Sequence, residues 1–242
     1  MLRDPNRVHV IERPARLTPP PRSYDRKRTL EKASRAQQRG KRKKAIEIYR
    51  MVLADEPENI ELHRRLGPLL AKTRKREEAL HHFGQAAQGL AKRGFPDKAV
   101  GLCREAVTFY PTEVVIWEAI SDLQLERKRR MEALDALLEG RAKMRGRRLR
   151  GSAIRLLKRA CVISPDEVDP QIDLARLLAR RRQRAEARRI LDRLAGTTRG
   201  RDRRRALGAR LCISPTPIGL LRWVGALFTS SSPSPRRTPR SS

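Results

Sequence analysis

Four histidines, three cysteines and 57 basic residues are the side chains of this 242-residue sequence whose chemistry could reach beyond packing. Glu78 and His82 stand at i and i+4, the spacing of two metal ligands on one helix face, but no third ligand accompanies them. His81 and His82 flank a core turn, where solvated or capping roles are expected, and His63 is read as a packing or groove residue. The pairs Glu77-Glu78 and Asp55-Glu56 fall at helix starts or turns, where the helix dipole and capping account for them. Gly84 and Gly89 have the spacing of phosphate-loop glycines without the lysine that must follow, and neither GxSxG nor HExxH occurs. Cys103, Cys161 and Cys212 lie far apart with no CxxC, which predicts buried, reduced thiols in a cytoplasmic setting. The pattern predicts no enzyme, no metal site, no cofactor and no small-molecule substrate.

Arginine is the remaining source of chemistry. The formal charge is +30, yet residues 54–139 carry 14 basic and 15 acidic groups, while residues 1–53 carry 16 and 5 and residues 140–242 carry 27 and 7. The field therefore sits at the two ends, most strongly at the second. Candidate anion-binding residues are Arg145, Arg147, Arg148 and Arg150 in one run and Arg203, Arg204 and Arg205 in another. Such forks suit phosphate, so nonspecific nucleic-acid binding is one reading, with log K falling by about 0.7–0.9 per contact for each tenfold rise in salt. No aromatic residue interleaves the runs for base stacking. The other reading is that the arginines are compositional.

These groups must be positioned by helices. Hydrophobic residues make up 38% and aromatics only 4%, which excludes a sandwich or barrel core built on β-branched and aromatic side chains. Ala45-Ile46-Ile48-Tyr49-Val52-Leu53, Ala99-Val100-Leu102-Cys103-Ala106-Val107 and Ala153-Ile154-Leu156-Leu157-Ala160-Cys161 each repeat apolar positions at i, i+3, i+4, i+7. The chain divides into a disordered basic, Pro-rich lead over 1–25, a helical repeat domain over 26–199, a degraded last helix over 200–215, and an apolar segment with a disordered Ser/Pro/Arg tail over 216–242. The stretch Ile218 to Phe228 is interrupted by Arg222 and falls below the roughly 20 residues needed to span a bilayer. Integral membrane insertion is not expected. Ile218, Leu220, Leu221, Trp223, Val224, Leu227 and Phe228 could instead form an interfacial helix, or a helix capping the open end of the repeats, which is favoured.

The strongest signal is an internal repeat. Ala45, Ala79, Ala99, Ala133, Ala153 and Ala187 are spaced 34, 20, 34, 20 and 34 apart, and Pro57, Pro111 and Pro165 follow alternate members by 12. Small residues at fixed slots let antiparallel helices approach closely, and proline stops each helix that precedes it. A unit of 54 residues containing three helices results, and stacked units share one core.

Leu66, Gly67, Leu70, Ala79, Phe83 and Ala86 in residues 60–93, Trp117, Ile120, Ser121, Ala133 and Leu137 in 114–147, and Leu174, Ala175, Ala187 and Leu191 in 168–201 resemble the tetratricopeptide-repeat family. The 20-residue steps depart from its 34-residue period and look like some bacterial multi-repeat proteins. The resemblance implies an all-α, right-handed α-solenoid of antiparallel helix pairs, with Gly67, Ala79, Phe83, Ala99, Trp117, Ala133, Ala153 and Ala187 as its core signature. It also implies an interaction scaffold that holds a segment of another protein in a concave groove. The lining residues would be Glu61, Arg64 and Lys72, then Glu118, Asp122 and Glu126, then Asp169, Ile172, Arg176 and Arg180, acidic in the middle and basic at the end. Pro68, Asp122 and Arg176 stand where chaperone-binding members carry asparagine, so that carboxylate clamp is missing.

Overall fold

A computed structural model describes residues 25–228, so most of the expected lead and the Ser/Pro/Arg tail lie outside the described residues. Twelve helices and no strand occur among the described residues: α1 Arg26–Gln38, α2 Arg42–Asp55, α3 Ile60–Lys72, α4 Arg76–Lys92, α5 Pro96–Phe109, α6 Val114–Glu126, α7 Arg130–Lys143, α8 Arg150–Ile163, α9 Val168–Arg180, α10 Arg184–Thr197, α11 Gly200–Ile213 and α12 Pro217–Phe228. They form two compact units, one ending at Pro57 and one beginning at Glu58.

The first unit is the α1–α2 hairpin. Asp25 caps α1 by accepting a hydrogen bond from the Arg28 backbone N–H at 3.2 Å, satisfying one of the donors a helix start leaves open. Ala33, Ala45 and Val52 are buried between the helices with Tyr49, whose hydroxyl donates to Gln37 Oε1 at 3.4 Å. Arg26 grips Glu56 with two hydrogen bonds of 2.7 and 2.9 Å, tying the start of the hairpin to its end.

The second unit is an α-solenoid in which each helix from α3 to α12 packs on the next. Two kinds of turn recur between these helices. The first is a tight turn whose left-handed residue is Gly94 between α4 and α5, but Arg74, Lys128 and Arg182 after α3, α6 and α9. There the next N–H reaches back to the helix, as Lys75 N–H does to the Leu70 carbonyl at 3.0 Å. This closure satisfies a carbonyl that the helix end leaves open.

The second kind follows α5 and α8 and carries Pro111 and Pro165. Trp117 Nε1–H donates to the Pro111 carbonyl at 2.9 Å, and Gln171 Nε2, at the same slot one unit later, donates to the Pro165 carbonyl at 2.6 Å. One polar side-chain donor thus locks each proline turn to the helix that follows it.

The repeated small residues lie in the core: Ala79, Ala99, Ala133, Ala153 and Ala187 are buried, with Phe83 over Gly67 and Trp117 over Gly140. Leu66, Leu70, Ile120, Leu137, Leu157, Leu178 and Leu191 fill the spaces between them. Each such side chain contributes about 1.5–3 kcal/mol on burial, and only stacked neighbours can supply the opposing wall. Residues 200–213 form a regular α11 that buries Ala206, Leu207 and Ala209.

Candidate functional site

The expected groove residues on α3, α6 and α9 are gathered in three separate places. On α3, Glu61 accepts hydrogen bonds from Arg64 Nε at 2.9 Å and Arg65 Nε at 2.9 Å. Arg64 holds the Glu61 carboxyl below its usual range, with burial opposing and Arg65 assisting. Lys72 lies exposed at the end of the same helix.

On α6 the carboxylates face α8. Arg155 binds Glu118 through Nε at 2.7 Å and Nη2 at 2.5 Å, and one turn on, Arg159 pairs with Asp122. Glu126 is exposed beyond the two rungs. Exposed ion pairs of this kind contribute only about 0–1 kcal/mol each, so their main effect is on surface charge. The expected acidic middle of the groove is corrected accordingly: two of its three carboxylates are neutralised by guanidinium groups that α8 lays beside α6.

On α9, Asp169 pairs with Arg205 of α11, which also reaches Asp202 at 3.4 Å. Ile172 was expected on an open surface but is only 3% exposed. The reason is that α11 packs against this face of α9. Ile172 and Arg176 instead help line a cavity of about 410 Å3 with Arg201, Arg204, Ala209 and Trp223. Arg176 and Arg180 are both exposed, one turn apart. Its lining sets Arg176, Arg201 and Arg204 among the apolar Ile172, Ala209, Trp223 and Leu227, a chemistry suited to an acidic group attached to an apolar one.

Trp223 also corrects the reading that no aromatic accompanies the arginine runs. The chain turns at Thr216–Pro217 and α12 packs back on α11, which brings an indole from a later segment beside Arg201 and Arg204. Sequence separation concealed this. The candidate anion-binding residues form no single patch of free guanidinium groups. Arg145, Arg147 and Arg148 are in the α7–α8 loop, Arg150 donates to the Arg180 carbonyl at 3.4 Å, and Arg205 is held by two aspartates. Nucleic-acid binding gains no support from this arrangement.

Of the histidines, His82 differs from its expected solvated or capping role. His82 is buried, and its Nδ1 lies 2.7 Å from Nδ1 of buried His63, so one ring nitrogen carries the proton and the other accepts it. Packing of α3 on α4 turns both rings inward, while His81 stays exposed. Among the described residues, no group of three His, Cys, Asp or Glu side chains is gathered as a metal site requires.

The cysteines divide by exposure. Cys103 is buried, and burial pushes its thiol up to about 11. Burial does the same to half-buried Cys161, with Arg193 opposing. Cys212 is exposed at the cavity, a correction to the expectation of three core-facing thiols, because the inner face of α11 is carried by Ala206, Leu207 and Ala209. At neutral pH a thiol reagent should modify Cys212 within the native protein and reach Cys103 only on unfolding, since the reactive thiolate of Cys103 forms only near pH 11. Mass spectrometry of timed alkylation reads both rates.

Successive antiparallel helices with small residues at the crossings define a helical-repeat protein of the α-solenoid class. Residues 150–211, from α8 into α11, match the tetratricopeptide-repeat family model, and the chain resembles that family over these helices. No curated protein matches it in sequence. Similar solved structures include a putative protein binding protein from Bacteroides ovatus, 19% identical with a TM-score of 0.35, covering 85% of this chain and 97% of that one. Another is MamA from Desulfovibrio magneticus, 13% identical with a TM-score of 0.25, covering 69% of this chain and 91% of that one. A third is PilF of Pseudomonas aeruginosa, 15% identical with a TM-score of 0.25, covering 83% and 87%.

Proposed function

We propose that this protein is a non-catalytic cytoplasmic scaffold that binds a segment of a partner protein along the solenoid, with the three-helix, 54-residue unit as its building block. The observation that carries the reading is the cavity beside α9, where Ile172 and Arg176 meet Arg201, Arg204 and Trp223. The starts of α3, α6 and α9 at Ile60, Val114 and Val168 support the unit.

The carboxylates on α6 are poor probes of this function, because reversing Glu118 or Asp122 would set like charge against Arg155 or Arg159. Arg176 and Arg180 are better, being exposed and adjacent on one face. Binding of an array of acidic peptides, each carrying one large apolar residue, is to be compared between the native chain and Arg176→Glu/Arg180→Glu. The double variant should keep its melting temperature and lose roughly tenfold or more in affinity, as expected when charged contacts at a recognition site are reversed. Equal binding by both proteins would overturn the assignment of this surface.

A further inference from the structure

Among the described residues, eleven large hydrophobic side chains are exposed, and five of them belong to α12: Ile218, Leu220, Leu221, Val224 and Leu227. The other six are scattered between Met51 and Val162, as single exposed apolar residues ordinarily are. A cluster of this density within one short helix marks a surface that something covers.

The fold explains how the cluster arises. α12 turns Gly219 and Ala226 inward and lays Trp223 against Gly208 of α11, where a Cβ would come within 3.2 Å of the indole Nε1. The inner side of α12 thus does cover part of α11. Its outer side is left with Leu220, Leu221, Val224 and Leu227 at i, i+1, i+4 and i+7, one continuous stripe, with Ile218 and Leu221 about 70% exposed. The capping role expected from sequence occupies only one face of this helix.

Charge selects the occupant. The segment 140–242 carries 27 basic and 7 acidic groups. Leu227 and Trp223 share their cavity with Arg201 and Arg204, and Arg222 is exposed on α12 itself. The nearby carboxylates are spent within the fold, Asp169 and Asp202 on Arg205 and Asp192 on Arg210. A second copy docking stripe to stripe would bring two strongly positive ends together. A surface that is apolar beneath and anionic above is complementary to both features at once.

We propose that α12 lies in the plane of an anionic lipid bilayer, burying its outer stripe among the acyl chains while Arg201, Arg204 and Arg222 meet the lipid phosphates. Its 12 residues are too few to span a bilayer, and no described helix is long and apolar enough to do so. Neither signal alone anchors a protein firmly, whereas an apolar stripe joined to a basic patch does. The cytoplasmic leaflet, rich in anionic lipid, supplies the matching field.

The test is co-sedimentation of the full chain with vesicles of phosphatidylcholine alone or mixed with phosphatidylglycerol. The native chain should bind the mixed vesicles and scarcely bind the neutral ones, with binding that weakens as salt rises. Leu221→Glu/Val224→Glu should lower the bound fraction roughly tenfold or more without shifting the melting temperature. Arg201→Gln/Arg204→Gln/Arg222→Gln should remove the preference for anionic vesicles. Equal sedimentation with neutral and anionic vesicles, or binding that the glutamate pair leaves intact, would overturn the proposal. So would a concentration-dependent dimer in vesicle-free sedimentation velocity that the glutamate pair dissolves while lipid binding is absent, because the stripe would then be an interface between copies. Arg201 and Arg204 also line the cavity beside α9, whereas Leu221 and Val224 do not, so the glutamate pair is the variant that tests lipid binding apart from the partner-groove reading.

Discussion

Replacing Trp117 with alanine should remove roughly 3–5 kcal/mol of stability, the cost of deleting a large aromatic side chain from a packed core. Trp117 is 0% exposed and lies over Gly140 of α7, while its indole N–H donates to the Pro111 carbonyl at 2.9 Å. Truncation removes the wall between α6 and α7 and the link between α6 and the proline turn before it. Against a typical total of about 5–15 kcal/mol, that is a large share. Because a repeat array gains its stability from nearest-neighbour interfaces, the loss should centre on α6 and α7. Hydrogen exchange resolved by helix, alongside urea unfolding, measures both its size and its place. Trp117→Gln separates the two contributions. Gln171 already makes the equivalent bond at 2.6 Å to Pro165, so glutamine should recover about 1 kcal/mol and leave the packing loss. A loss for Trp117→Ala below about 1 kcal/mol would mean that α6 and α7 close over the gap, and that the indole is not their keystone.

Gly140→Ala should also destabilise the chain, against the usual sense of that substitution in a helix. Alanine ordinarily gains about 1 kcal/mol over glycine in a helix interior. At Gly140, a Cβ would come within 2.5 to 2.8 Å of three atoms of the Trp117 ring system, and the buried ring has no room to retreat. Overpacking of this kind costs about 1–3 kcal/mol, which outweighs the propensity gain. Gly101→Ala in α5 is the control, since nothing lies within 4 Å of its would-be Cβ. It should stabilise by roughly 0.5–1 kcal/mol. Opposite signs at the two glycines, read from urea midpoints at unchanged m-value, are the expected result. The same sign at both would show that helix propensity and not the Trp117 contact governs Gly140. In a double-mutant cycle, Trp117→Ala should relieve most of the Gly140→Ala cost, because the clash needs both partners.

What could be read from residues alone was everything that repeats locally. Apolar positions at i, i+3, i+4 and i+7 define one face of a helix whatever it packs against, so the helices around Ala45, Ala99 and Ala153 were legible. Small residues such as Ala79 and Ala133 marked the close crossings because no larger side chain fits there. Pro111 and Pro165 marked helix ends because proline cannot donate a backbone hydrogen bond. The turns at Arg74, Lys128 and Arg182 carry no glycine, and only the apolar pattern on either side disclosed them.

Tertiary structure decided which faces meet. Periodicity shows that Glu118 and Asp122 share a side of α6, but only the placement of α8, more than thirty residues on, sets Arg155 and Arg159 against them. Likewise His63 and His82 become a buried pair because α3 and α4 cross where they do, and Ile172 leaves the surface because α11 covers that face of α9. The return of α12 onto α11 places Trp223 beside Arg204 and sends Leu221 and Val224 outward. The sequence by itself determined an all-helical repeat with an alanine-lined core, since propensity, period and helix termination act within a few residues. Charge pairing, cavity and exposed stripe depend on distances between helices far apart in the chain, and packing geometry alone fixes those.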